Sequence, residues 1–280
     1  MIDSSLIKNI NNPLSPTLIM GILNITPDSF SDGGKYYNLD NAVEYALELV
    51  KQGVDIIDVG GESTRPGAKA ISLDDEINRV VPVIKSIRSV SSIPISIDTY
   101  KSEVAQIALD SGANIINDIS GLKFDSKMID VVKEYNVPIV IMHIKGTPLN
   151  MQVNPSYDNI IDEIKSYFKK RTNLCLDYGI PETHIILDPG IGFGKQLNDN
   201  FTIIRELNTF IELGYPILIG PSRKSFIGLT LDLPVNDRME GTAAAITASI
   251  MNGARIVRVH DVLEMKRVQI ISDKIRGVIA

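Results

Sequence analysis

Eight short β-branched runs punctuate this chain of 280 residues, and helical spacing fills the stretches between them. The runs are Thr17–Leu23, Ile56–Val59, Pro94–Ile97, Asn114–Ile119, Pro138–Met142, His184–Leu187, Pro216–Ile219 and Arg255–Val259. Each is too short for a helix and mostly apolar on both faces, as a strand buried in a parallel sheet should be. Asn41–Gln52 carries Ala42, Val43, Ala46, Leu47 and Val50, a stripe three and four residues apart. Asp74–Ser89, Ser126–Tyr135, Tyr157–Asp177, Asp199–Leu213, Arg238–Asn252 and Val262–Arg276 read likewise, and Ser102 reads as the capped start of another helix.

A connector recurs in this alternation. QGVDII, SGANII and NGARIV each place a glycine and two residues between a helix and an Ile-rich run. Gly53, Gly112 and Gly253 are therefore expected to be left-handed helix stops, and Gly179 and Gly214 occupy similar places. Eight strand–helix alternations without a break in composition predict a single α/β domain, a (β/α)8 barrel over residues 17–280. A polar Asn/Pro/Ser-rich lead-in, residues 1–16, precedes it. A doubly wound open sheet is the alternative.

Composition narrows the function classes. A net charge of −6 argues against a nucleic-acid binder that relies on general basicity, and leaves room for a local basic pocket. The single cysteine, Cys175, excludes an intrachain disulfide and suits a reducing compartment. The first residues lack a basic segment followed by an apolar one, and no run reaches the ~18 apolar residues of a membrane helix. A cytoplasmic protein is expected.

Barrel enzymes work at the carboxyl ends of their strands. There the chain places Asn24 and TPDSFSDGG after the first run, GGESTRPGA after the second, and Asp98 with Thr99 after the third. Asn117 and Asp118, then Met142 and His143, then Asp188 and PGIGFGK with Phe193 follow the next three. Ser222, Arg223, Lys224 and Ser225 follow the seventh, and Arg258, His260 and Asp261 end the eighth. Thr64, Arg65, Arg258 and His260 offer cationic or hydroxyl donors suited to phosphate or pyrophosphate. Asp98, Asn117 and Asp188 can accept hydrogen bonds from an amino-heterocycle, with Lys224 donating to a ring carbonyl. Asn24 and Asp32 are oxygen ligands of the kind Mg²⁺ uses when it shares a phosphate. Phe30, Phe193 and Pro66 can wall an aromatic second substrate.

Other features carry less. GIGFGK lacks the context of a dinucleotide fingerprint, and no histidine pair has zinc spacing. Asp74, Asp75 and Glu76 read as first-turn charges on a helix dipole. His184 precedes its strand and belongs to the opposite rim. Gly241–Ser249, GTAAAITAS, reads as a helix packed tightly on the barrel or a partner chain.

With these residues assembled, the chain closely resembles the dihydropteroate synthase family from Ile19 onward. The resemblance rests on MGILNITPDSFSDGG (Met20–Gly34) and GGESTRPGA (Gly60–Ala68), followed in order by SIDTYK, IINDISG, IVIMH, ILDPGIGFGK, GPSRKSFIG and RVHDV. It implies condensation of a dihydropterin-methyl diphosphate with 4-aminobenzoate, releasing pyrophosphate. It further implies that Asp98, Asn117, Met142, Asp188, Lys224 and Arg258 hold the pterin. Asn24, Thr64, Arg65, Arg258 and His260 would hold the diphosphate, with Mg²⁺ at Asn24 and Asp32. Phe30, Thr64, Pro66, Phe193, Lys224 and Ser225 would form the 4-aminobenzoate pocket, and a homodimer is implied. Lys224, Asp98, Asp188, Arg65 and Asp32 are the expected catalytic groups, with loops Asn24–Gly34 and Glu62–Ala70 closing about a Gly33–Gly34 hinge. The fifth exit, MHIKGTPLNMQ, departs from the family at Ile144 and Lys145. A methyltetrahydrofolate methyltransferase and an inactive pterin- or phosphate-binding barrel are the alternatives; the first should lack the SFSDGG and STRPG loops.

Overall fold

The computed structural model describes residues 4–26 and 39–278. Its eight strands are β1 Leu18–Asn24, β2 Ile56–Gly60, β3 Ile95–Asp98, β4 Ile115–Asp118, β5 Ile139–Met142, β6 Ile185–Asp188, β7 Leu218–Ile219 and β8 Ile256–Val259. All pairings are parallel, in the order β6-β5-β4-β3-β2-β1-β8-β7. The two ends of that order meet at a parallel bridge between Leu187 and Ile217, where the Leu187 N–H donates to the Pro216 carbonyl at 3.0 Å. The sheet thereby closes into the expected barrel, not an open doubly wound sheet.

Helices α1 Ser4–Asn11, α2 Leu39–Lys51, α3 Leu73–Val90, α4 Ser102–Asp110, α5 Met128–Tyr135 and α6 Ile160–Asp177 come first. Then follow α7 Leu197–Arg205, α8 Asn208–Ile211, α9 Ser225–Leu231, α10 Met239–Met251 and α11 Val262–Arg276. The five connector glycines all have positive φ, between +86° and +114°, so they end their helices as anticipated.

Alternate strand residues serve two cores. Ile19, Leu23, Ile57, Val59, Ile95, Ile97, Ile139, Ile141, Ile185 and Leu187 point outward into the large core beneath the helices. Leu18, Met20, Ile56, Ile115, Val140, Ile186, Leu218 and Ile256 point inward and form an apolar floor. Two residues farther along, the inward positions turn polar in most strands: Ile56 gives way to Asp58, Ile115 to Asn117, Ile186 to Asp188 and Ile256 to Arg258. The barrel is thus sealed at one end and polar at the other.

The seal includes a helix that the sequence reading left unassigned in the lead-in. Leu6 and Ile10 of α1 pack into the floor. Arg255 clasps this segment, its guanidinium donating to the carbonyls of Asn9 (2.8 Å), Ile10 (3.4 Å), Ser15 (2.7 Å) and Pro16 (3.2 Å). Asp273 of α11 accepts from Thr17 N (2.7 Å) and Oγ1 (2.8 Å), fixing the entry to β1.

Other expectations need correction. Ser102 does not cap α4; it is the first helical residue, and its N–H donates to the Asp125 carboxylate at 2.8 Å. The helix expected over Asp199–Leu213 breaks after Arg205, where the Thr209 hydroxyl takes the Glu206 carbonyl at 2.7 Å. Ser225–Leu231 forms a helix that had not been assigned.

Replacing Arg255 by Ala leaves four carbonyls without their donor. Urea unfolding should show a stability loss of about 2–4 kcal/mol.

Candidate active site at the strand carboxyl ends

Strand register assembles the polar end. Asn24 lies beside Gly60, Gly60 beside Asp98, and Asp98 beside Asn117, on four consecutive strands. Met142 is level with Asp188 across the β5–β6 pair. At the centre, Arg258 Nε contacts Asp58 Oδ2 at 2.6 Å and its Nη2 contacts Asp98 Oδ2 at 2.7 Å. Asn117 Nδ2 donates to the same Asp58 oxygen at 3.1 Å. Asp58 Oδ1, Ser96 Oγ and Asp98 Oδ1 are buried without a hydrogen-bond partner among the described residues.

Asp58 escaped the sequence reading. It sits in an apolar run, and its signal is alternation: it shares the inward face with Ile56, where a carboxylate must have a use.

Burial drives the electrostatics. It raises Asp98 to about 7, with Arg258 opposing and Asp58 reinforcing the rise. It raises Asp188 to about 6, although the Gly190 N–H donates to that carboxylate at 2.7 Å. Burial, and then Arg258, lower Lys224 to about 8, while Asp188 and Asp98 favour its charge. Lys224 Nζ stands 4.2 Å from the centroid of the Phe193 ring. Phe193 and Met142 share a small apolar cluster with Ile119, Ile144 and Met151.

His260 differs from a cationic donor. Burial, Arg258 and Arg223 lower it to about 3, so the imidazole is neutral at pH 7. Ser222 Oγ accepts from the His260 backbone N–H (3.2 Å) and lies 3.0 Å from Nδ1; in the tautomer where the hydroxyl donates to Nδ1, the ring presents its hydrogen at Nε2. Arg223, in left-handed backbone, is turned to Asp261 through Nε at 2.9 Å.

The loop after β2 is pinned at its neck. Glu62 accepts from Ile71 N (3.1 Å), Tyr100 Oη (2.8 Å) and Lys101 Nζ (2.7 Å). Lys101 also reaches Glu76 (2.6 Å) and the Ile71 carbonyl (2.9 Å). Glu76 lies in the first turn of α3, as expected, and is in addition a buried ion-pair partner of Lys101. Above this knot Thr64 is half-buried, while Arg65 and Pro66 are exposed. Pro66 and Ser225 line one cleft of about 470 Å³. Phe30, Asp32, Gly33 and Gly34 lie outside the described residues.

Asn24 Oδ1 and Asp98 Oδ2 each stand 3.6 Å from where a Cβ on Gly60 would sit, so the missing side chain leaves space between two hard oxygen donors. Among the described residues no group of three His, Cys, Asp or Glu has the arrangement to hold a metal ion. A divalent ion at Asn24 would need oxygens from a substrate and water, which is how Mg²⁺ is usually held.

Residues 20–260 match the family described as pterin binding enzyme. A dihydropteroate synthase of Clostridium beijerinckii is 51% identical over 258 residues, covering 92% of this chain and 93% of that protein. The crystal structure of the Clostridium difficile dihydropteroate synthase in the presence of pteroic acid superimposes with a TM-score of 0.88 at 46% identity, covering 93% of this chain and 97% of that one. That of the Xanthomonas albilineans dihydropteroate synthase with 4-aminobenzoic acid gives 0.89 at 38% identity, covering 95% of each.

Because folding raises the Asp188 pKa above its ordinary value of 3.8, its contribution to stability is intact below about pH 4 and lost as pH rises through about 6. Asp188→Asn should be more stable than the parent at pH 8 by about 1–3 kcal/mol and lose that margin below pH 4, measured by urea unfolding at both pH values.

Proposed function

We propose a reaction for this chain on the premise that it belongs to the pterin-binding enzyme family. It is a transferase of folate biosynthesis: it joins (7,8-dihydropterin-6-yl)methyl diphosphate to 4-aminobenzoate, giving 7,8-dihydropteroate and pyrophosphate. The observation that carries this reading is the set of acceptors Asp98, Asn117 and Asp188 around one donor, Lys224, at the open end of a floored barrel.

A pterin edge presents several N–H donors and one carbonyl, the complement of this set. Buried carboxylates lacking such donors have raised pKa values, and a ligand that supplies them favours the charged form. Arg258 is shared by Asp58 and Asp98. A pterin that takes over Asp98 leaves Arg258 anchored by Asp58, free to turn toward the ring face and the diphosphate. Met142 adds apolar contact below the ring.

The amine of 4-aminobenzoate is neutral at pH 7 and nucleophilic without a strong base. Catalysis then consists of drawing off the diphosphate and stabilising positive charge at the pterin methylene, in an SN1-like substitution. Asp98 and Asp188 serve the carbon side. Arg65, Arg258, Thr64 and the neutral His260 Nε2–H serve the leaving group. Asn24, and Asp32 in the loop beyond it, would hold Mg²⁺, which neutralises diphosphate charge when bound. Phe193, Pro66, Ser225, Thr64 and Lys224, with Phe30, enclose the amine.

The apolar cleft between α7, α9 and α10, lined by Phe201, Phe226, Ile227 and Ala245, supports a homodimer. Among the described residues no helix is long and apolar enough to cross a membrane. Cys175 is buried and free, in keeping with a reducing, cytoplasmic setting.

Pyrophosphate release should require both substrates and fall on chelation of divalent ions; release that ignores 4-aminobenzoate would sink the reading. Lys224→Ala should lower kcat/KM for the pterin diphosphate by about 10²–10³-fold. Calorimetry of pterin binding in buffers of different ionisation enthalpy should show proton release at pH 6.5, since binding lowers the Asp98 and Asp188 pKa values, and proton uptake at pH 8.5, where those carboxylates are already ionised and Lys224, at about 8, charges as it donates to the ring carbonyl.

A further inference from the structure

Lys195, the last residue of GIGFGK, is 3% exposed and has no part in the chemistry above. Its Nζ lies 3.0 Å from the His143 carbonyl, 3.0 Å from the Phe193 carbonyl and 2.9 Å from His143 Nδ1. An ammonium has three hydrogens, and here there are three acceptors. With Lys195 charged, the His143 ring accepts at Nδ1 and carries its proton on Nε2. Burial, followed by the Lys195 charge, lowers the imidazole to about 2. Burial also lowers Lys195 itself to about 7, against the pull of Asp188 and Asp199.

The two chain segments it joins lie backbone against backbone. Gly190, Gly192 and Gly194 have φ of +71°, +79° and +67°. A Cβ at Gly190 would collide with the His143 carbonyl, and one at Gly194 with the Lys145 carbonyl. The carbonyls on either side of Phe193 are also held by side chains: Gln152 Nε2 donates to Gly192 O at 2.7 Å, and Tyr157 Oη to Gly194 O at 2.6 Å. Three successive carbonyls are thus gripped from three directions. The ring they carry, Phe193, stands against Lys224 and belongs to the same apolar cluster as Met142.

We propose that Lys195 is a positioning residue for the amine substrate: by clamping the exits of β5 and β6 together it sets the Phe193 ring as the wall between the pterin and 4-aminobenzoate sites. This rests on the function proposed above. The clamp acts on Phe193 through its backbone, so its loss moves the wall of the amine site and leaves Asp98 and Asn117, on other strands, in place.

Steady-state kinetics of Lys195→Met, which keeps length and removes the donors, test it. The expected result is about a tenfold rise in KM for 4-aminobenzoate, with kcat within about threefold and KM for the pterin diphosphate within about twofold. Unchanged constants, or a parallel loss in kcat and both KM values, would overturn it. If Lys195→Met does not fold, Gln152→Ala and Tyr157→Phe release the same peptide from outside. Each should raise KM for 4-aminobenzoate by about threefold and leave the pterin diphosphate unaffected; no change in either overturns the proposal. A parent protein with no amine-dependent pyrophosphate release would remove the function itself, whereas an active parent with unaltered variants removes this inference alone.

Discussion

A guanidinium held between two carboxylates inside the barrel is the interaction on which the polar end depends. Arg258 spans Asp58 and Asp98 above a floor of aliphatic side chains. In such surroundings a pair that loses one member leaves an uncompensated buried charge, which typically costs about 3–5 kcal/mol. Asp58 therefore holds in place the guanidinium that the proposed reaction turns toward its substrate. Its unsatisfied oxygen, with those of Ser96 and Asp98, keeps the interior electrostatically expectant rather than saturated. Buried polar atoms without partners cost stability, and on the proposed function that cost is recovered when a ligand supplies their hydrogen bonds.

Much of this was legible in the residues. Runs of β-branched side chains located all eight strands, and five glycines marked where helices had to stop, because left-handed backbone admits few alternatives. The register then placed Asn24, Asp98, Asn117, Met142 and Asp188 at one end, since each closes or nearly closes its strand. What stayed hidden depends on tertiary context. Helix α1 is short and polar, and becomes a helix because Leu6 and Ile10 find a floor and Arg255 finds its carbonyls. Glu76 reads as one of three first-turn acids, and its burial shows only when Lys101 reaches it from the next unit. His260 reads as a cation in sequence and is neutral in place, because burial and three neighbouring cations set its protonation.

The exits are braced differently from the strands. Hydrogen-bond ladders fix the latter, whereas the former are joined by wholly or partly buried ionic groups: Lys101 between Glu62 and Glu76 at the second exit, Lys195 between the fifth and sixth, Arg223 with Asp261 across the seventh and eighth. Point contacts of this kind hold loop backbone in irregular shapes that no ladder could support. They also confine substitution, since an apolar replacement strands several acceptors at once.

The plug at the barrel's sealed end has a consequence for how the molecule comes into being. Leu6 and Ile10 leave a ribosome long before Arg255, which clasps the end of their helix, and before the strand completing their seat at 256–259. Until that last strand docks, the aliphatic bottom stays open to water with no cover. Closure over so wide a separation is slow, and intermediates with a bare greasy base are the species most exposed to self-association. The need for folding assistance should therefore last until strand eight emerges, and a circular permutation that brings α1 next to β8 in sequence should shorten it.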